Sequence, residues 1–101
     1  MAGLSIRVRG IVQGVGFRPN VWRLAHEHSI AGTVLNDAQG VLIEAWGRDD
    51  DLKAFIDGIK ESTPPLARVE SIESASLAGE APGDGFRIIE SASGEIQTGV
   101  A

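Results

Sequence analysis

An α+β sandwich in the order β-α-β-β-α-β, with an antiparallel sheet and both helices on one face, is the fold this 101-residue sequence predicts. Three observations lead there. Apolar and polar residues alternate over Leu4–Arg9 and again, less regularly, over residues 67–76, the period of a half-buried strand. Two β-branched runs flank the turn-forming Asp37-Ala38-Gln39-Gly40, which makes a hairpin. Two further stretches carry apolar residues at helical spacing.

The elements follow in order. In Leu4-Ser5-Ile6-Arg7-Val8-Arg9 the apolar side chains share one face, and Gly10 interrupts the strand before Ile11-Val12, as a bulge or bend does. Gln13-Gly14-Val15-Gly16-Phe17 is a tight loop, since two glycines two apart free the backbone for positive φ. Pro19 suits the first turn of a helix, where a missing N–H costs nothing. Val21/Trp22, Leu24/Ala25 and His28 lie near one face of that helix, and Ser29 and Gly32 limit it.

The hairpin pairs Thr33-Val34-Leu35-Asn36 with Val41 to Trp46. Asp49, Asp50 and Asp51 begin a second helix, whose dipole favours negative charge at its start. Leu52, Phe55, Ile56 and Ile59 form its apolar stripe; Gly58 weakens it slightly, and Thr63-Pro64-Pro65 ends it. A loop from Gly79 to Gly85 leads to a short extra strand at Phe86-Arg87-Ile88-Ile89. Two interleaved βαβ units with right-handed crossovers are the ferredoxin-like split arrangement. Residues 1–90 form that domain, and residues 91–101, small and polar without periodicity, are a tail or the stub of a linker.

Composition narrows the function. Nine basic and 14 acidic residues give a net charge of −5, which argues against long nucleic acid, whose binding needs a basic face. The RNA-binding version of the fold also needs stacking aromatics on its sheet. Without cysteine there is no disulfide, thiolate metal site or thiol nucleophile. No signal peptide is evident, and no apolar run nears the roughly 18 residues of a membrane span. A soluble, cytoplasmic domain is the expectation.

Residues 10–18, ending in Phe17-Arg18, join a strand to a helix. Successive N–H groups in such a loop converge on an anion, the helix dipole adds positive potential, and Arg18 supplies a forked cation. The glycine spacing alone favours a flexible turn beside a surface arginine. It is neither a Walker loop, which needs Gly-Lys-Ser/Thr, nor a dinucleotide fingerprint, whose spacing differs.

Residues 10–18 resemble the signature loop of acylphosphatases. Residues 32–44 (Gly32-Thr33-Val34-Leu35-Asn36-Asp37 through Glu44) resemble the same family's second motif, and Pro64–Val69 and Phe86-Arg87-Ile88 its later strand regions. The resemblance spans Leu4 to Ile89. It implies a catalytic arginine at Arg18, a catalytic asparagine at Asn36, and a phosphate cradle made by the backbone N–H groups of Gln13, Gly14, Val15, Gly16, Phe17 and Arg18. It implies hydrolysis of the carboxyl–phosphate bond of an acyl phosphate, with inorganic phosphate as product, and neither metal nor cofactor. Pro19 directly after the arginine is similar to the acylphosphatase-like domain that opens the carbamoyltransferases of nickel–iron hydrogenase maturation. That implies carbamoyl phosphate as substrate and covalent continuity with further domains. A free-standing acylphosphatase and a non-catalytic anion-binding module are the alternatives.

Other conspicuous residues have simpler readings. His26 and His28 point about 200° apart on a helix, a poor metal pair; His28 is a packed or capping residue and His26 a solvated one. Asp49–Asp51 serve a helix start rather than a metal. Trp22 and Trp46 belong to the core or its edge rather than to a nucleotide platform. Asp37 is a turn-forming residue.

Overall fold

The computed structural model describes residues 2–89, so the tail expected at 91–101 lies outside it. The elements are β1 (Ala2–Ile11), α1 (Phe17–Glu27), β2 (Ala31–Asp37), β3 (Gly40–Gly47), α2 (Asp49–Glu61), β4 (Arg68–Ser76) and β5 (Phe86–Ile88). Every expected element is present. The five strands lie in the order β4-β1-β3-β2-β5.

Alternation decides which face is covered. Ile6 and Val8 of β1, Val34 of β2, and Val41 and Ile43 of β3 are fully buried, whereas their neighbours Arg7, Leu35 and Leu42 are half-buried on the other face. Onto the covered face α1 brings Phe17, Val21, Leu24 and Ala25, and α2 brings Leu52, Phe55 and Ile59, all joined in one cluster. Each large side chain so buried contributes about 1.5–3 kcal/mol relative to its exposed state. Gly58 has a packing reason to sit in α2: a Cβ there would lie 2.9 Å from Leu24 Cδ2, so its absence lets the helices approach. The expected interruption in the first strand is a shift of register between Arg9 and Gly10 along the β1–β4 pairing.

Two expectations need correction. The sheet is mixed: β4, β1, β3 and β2 pair antiparallel, but β5 joins the edge parallel to β2. The cause is the path of the loop after β4. Leu77 N–H donates to Gly3 O, Trp46 Nε1 to Gly79 O, and Gly32 N–H to Gly85 O. These bonds carry the chain across the end of the sheet where β2 begins, so β5 starts beside the start of β2 and must run with it. The second correction concerns Trp22, which is 41% exposed while Trp46 is 5% exposed. Trp46 is a core residue. The Trp22 ring instead lies on the outside of α1 over His26, with centroids 4.0 Å apart.

Candidate active site

The loop between β1 and α1 alternates anchors and free backbone. Val12 and Phe17 are each 1% exposed and Val15 packs against the core, so apolar side chains pin the loop at both ends and in the middle. Gly14 and Gly16 between them take φ of +73° and +80°, the left-handed region that side chains disfavour. A Cβ on either would meet nothing within 4 Å; the requirement is conformational rather than steric. Among the described residues, none of the backbone N–H groups of residues 13–16 donates to a backbone carbonyl. Gly16 is the N-cap of α1, no side chain caps that helix, and its first turn has no acidic residue. A helix start left this way presents its amide hydrogens and positive dipole end outward.

Arg18, in the first turn of α1, is half-buried and donates through Nη1 to the carbonyl of Ile89 at 3.2 Å. The strand edge formed by β5 therefore holds the guanidinium beside the helix start. The parallel course of β5, not foreseen from sequence, is what brings Ile89 to this end.

Asn36 stands near the end of β2, on the covered face with Val34. It is 8% exposed, and its Oδ1 has no hydrogen-bond partner. An unsatisfied buried acceptor costs about 1–3 kcal/mol, so it calls for a reason. β1 and β2 both run toward this end of the sheet, each pairing antiparallel to β3 between them. The topology thus gathers the glycine loop, Arg18 and Asn36 at one end.

Two side chains contribute structure that sequence reading missed. Gln13 Nε2 donates to the carbonyls of Asp37 (2.7 Å) and Gly40 (3.0 Å), so the side chain spans from the glycine loop to the β2–β3 turn. Arg7 pairs with Asp37, whose Oδ1 also accepts from the Gln39 N–H, making the expected turn. The Arg7 hydrogen bond holds the Asp37 carboxyl below its ordinary value against the opposing effect of burial, and the Gln39 N–H and the charges of Arg7 and Arg9 reinforce it. The partner of Gln13 was beyond any local pattern, being 24 residues away.

The remaining candidates do not join this group. His28 caps the end of α1 and His26 is exposed beside Trp22. Asp49, Asp50 and Asp51 occupy the first turn of α2. Among the described residues no cluster of three or more His, Cys, Asp or Glu has metal-holding geometry, and no helix is long and apolar enough to cross a membrane. A cleft of about 400 Å³ lies at the opposite end between Ser29, Trp46 and the loop from Gly79 to Asp84. A crevice of about 350 Å³ separates residues 10–13 from Ala38–Gly40 beside the glycine loop.

Comparison with known proteins identifies the family. The family model for acylphosphatase matches residues 4–88. The carbamoyltransferase HypF2 of Cupriavidus necator is 50% identical over 88 residues, which are 87% of this chain but 11% of that protein. The acylphosphatase of Oceanobacillus iheyensis is 40% identical over 79 residues, 77% of this chain and 87% of its own length. A crystal structure of full-length HypF in a phosphate- and nucleotide-bound form superimposes with a TM-score of 0.83 at 34% identity, over 90% of this chain and 12% of that one. The chain thus spans about an eighth of the carbamoyltransferases it matches and most of a free-standing acylphosphatase. With the family's match running from β1 to β5 and its glycine loop at the uncapped start of α1, the chain belongs to the acylphosphatase family.

Proposed function

We propose that the chain hydrolyses the carboxyl–phosphate bond of carbamoyl phosphate, acting as the first domain of a carbamoyltransferase of nickel–iron hydrogenase maturation. The observation that carries the chemistry is the meeting, at one end of the sheet, of unpaired loop amides, an uncapped helix start, one guanidinium and a buried asparagine oxygen without a partner. The likeness to carbamoyltransferases across the whole described domain supports the choice of acyl group and the continuity with further domains.

In this reading the N–H groups of Gln13, Gly14, Val15, Gly16, Phe17 and Arg18 receive the phosphoryl oxygens, and the Arg18 fork neutralises charge that redistributes in the transition state. Asn36, a neutral side chain with both a donor and an acceptor, orients a water in line with the leaving carboxylate. The water oxygen forms a bond to phosphorus as the phosphorus–oxygen bond to the acyl group breaks. The bond pair leaves with the carboxylate, here carbamate, and the proton of the water passes to a phosphate oxygen. An acyl phosphate is already activated, so positioning and charge stabilisation suffice and no strong base is required.

Hydrolysis of carbamoyl phosphate and benzoyl phosphate, measured beside phosphate titration of the amide resonances, tests the proposal. Arg18→Ala is expected to lose both phosphate binding and turnover. Asn36→Ala is expected to lose about 100-fold or more in turnover, with phosphate binding little changed. Undiminished hydrolysis in both variants would overturn the mechanism. Phosphate binding by the unaltered chain without turnover would make the domain an anion-binding module.

A further inference from the structure

The buried Oδ1 of Asn36 has no protein partner, so no hydrogen bond at that atom fixes where the side chain sits. Its position is inherited from the backbone of residues 36 and 37, and whatever holds that backbone also places the amide. Besides the β2–β3 ladder, in which Asn36 pairs with Val41 and Asp37 with Gly40, three contacts from outside the hairpin hold it. Gln13 Nε2 bonds the carbonyls of Asp37 and Gly40, the two residues that pair across the base of the turn. Arg7 grips the Asp37 carboxylate from β1. At Gly40, φ is +129° and a Cβ would fall 2.3 Å from Val8 O, so the turn lies directly against β1. All three contacts come from β1 or from the loop that follows it. Of these, only Gln13 belongs to the glycine loop itself.

We propose that the Gln13 side chain is a positioning residue, a strut that fixes the separation between the phosphate-receiving loop and the water-orienting Asn36. The proposal rests on the hydrolytic reading above and adds to it a role for a side chain whose backbone alone had been assigned. Turnover in such a site requires a water held in line with the leaving group, and displacement by about 1 Å costs up to about 100-fold in rate. Phosphate affinity, set by the loop amides and Arg18, does not require that separation. The strut therefore acts on kcat and leaves the anion site alone.

A double-mutant cycle tests this, using Gln13→Ala, the isosteric Gln13→Glu, which has no donor for the two carbonyls when ionised, and Asn36→Ala. Either Gln13 variant is expected to lower kcat about tenfold, and Gln13→Ala, which adds no charge beside the anion, to keep phosphate affinity within about twofold of the unaltered protein. In the Asn36→Ala background the same change is expected to cost almost nothing further, because the strut acts through Asn36. The side-chain amide resonances of Asn36 are expected to shift or broaden in both Gln13 variants, whereas those of Asn20, which bonds the Ser62 carbonyl, stay in place. Equal losses in the two backgrounds, or an unmoved Asn36 resonance, would overturn the strut. Absence of acyl-phosphate hydrolysis in the unaltered chain would instead overturn the hydrolytic reading, and the Asn36 resonance would still decide whether Gln13 positions that side chain.

Discussion

The two ends of the sheet hold clefts of similar volume and differ in the polar groups they leave unpaired. The end where β4 stops and β2 begins has the larger cleft, about 400 Å³, with the edge of Trp46 in its wall and Glu80 and Asp84 on its rim. Its polar contacts serve the fold: the Trp46 indole and the Gly32 amide donate to loop carbonyls and steer the chain toward β5. The end where β1 stops and α1 begins has a crevice of about 350 Å³ and gathers the loop amides, Arg18 and the partnerless Asn36 oxygen. A small, highly charged ligand is bound by converging donors, so the proposed function follows the density of unpaired polar groups rather than volume.

The sharpest way to break that comparison is at Trp46. Trp46→Ala removes a core side chain and the bond to Gly79 O, and is expected to cost about 3–5 kcal/mol of stability in urea unfolding. Activity of the folded fraction is expected to stay as it was, because nothing at the other end touches this residue. Trp46→Phe keeps most of the packing and serves if the alanine variant does not fold. A fall in kcat for folded Trp46→Phe would show that the two ends are coupled.

A pair of glycines sharpens the contrast at smaller cost. Gly16 and Gly83 both have open space where a Cβ would stand, but only Gly16 holds a positive φ. Gly16→Ala is expected to lose about 1–2 kcal/mol and to weaken phosphate binding through the displaced amides. Gly83→Ala is expected to be neutral, or stabilising by up to about 1 kcal/mol, through its effect on the unfolded chain. Chemical denaturation and phosphate titration of both variants check this; equal effects would mean that the positive φ at Gly16 is of no consequence.

Much of this contrast is written locally in the sequence. Ile6, Val8, Val34 and Asn36 alternate with neighbours that are mostly half-buried on the other face, so the strand faces, and the inward direction of Asn36, follow from period two. The loop glycines are legible because positive φ is a property of single residues. What escaped is non-local. Three residues of β5 hold too little pattern to show direction, which hydrogen bonds from the preceding loop impose. Trp22 sits one residue beyond Val21 on the helical arc, so helical spacing alone does not decide its burial. Gly58 looked like a helix weakness until Leu24 of the other helix was placed against it. The reach of Gln13 to Asp37 and Gly40 depends on two loops meeting at one end of the sheet.

The smallest expected effect lies in the Arg7–Asp37 pair at the glycine-loop end. The Asp37 side chain is 23% exposed, and its carboxyl is held below the ordinary value of 3.8 chiefly by the Arg7 hydrogen bond. A carboxyl whose folded value is depressed binds its proton more readily when the chain is unfolded. Its contribution to stability is therefore fully present above the unfolded value and lost as pH falls below about 4 toward the folded one. Urea unfolding between pH 6 and pH 3 is expected to show this loss on top of the general acid sensitivity of a chain with 14 carboxylates. Arg7→Met keeps the stem of the side chain and removes the donor, so it is expected to be less stable at pH 6 and to lose less on acidification. The two curves then converge at low pH. Were they to remain parallel down to pH 3, the pair would contribute nothing specific to holding the turn beside Asn36, and the β2–β3 ladder, the Gln13 contacts and the approach of Gly40 to β1 would hold it without the pair.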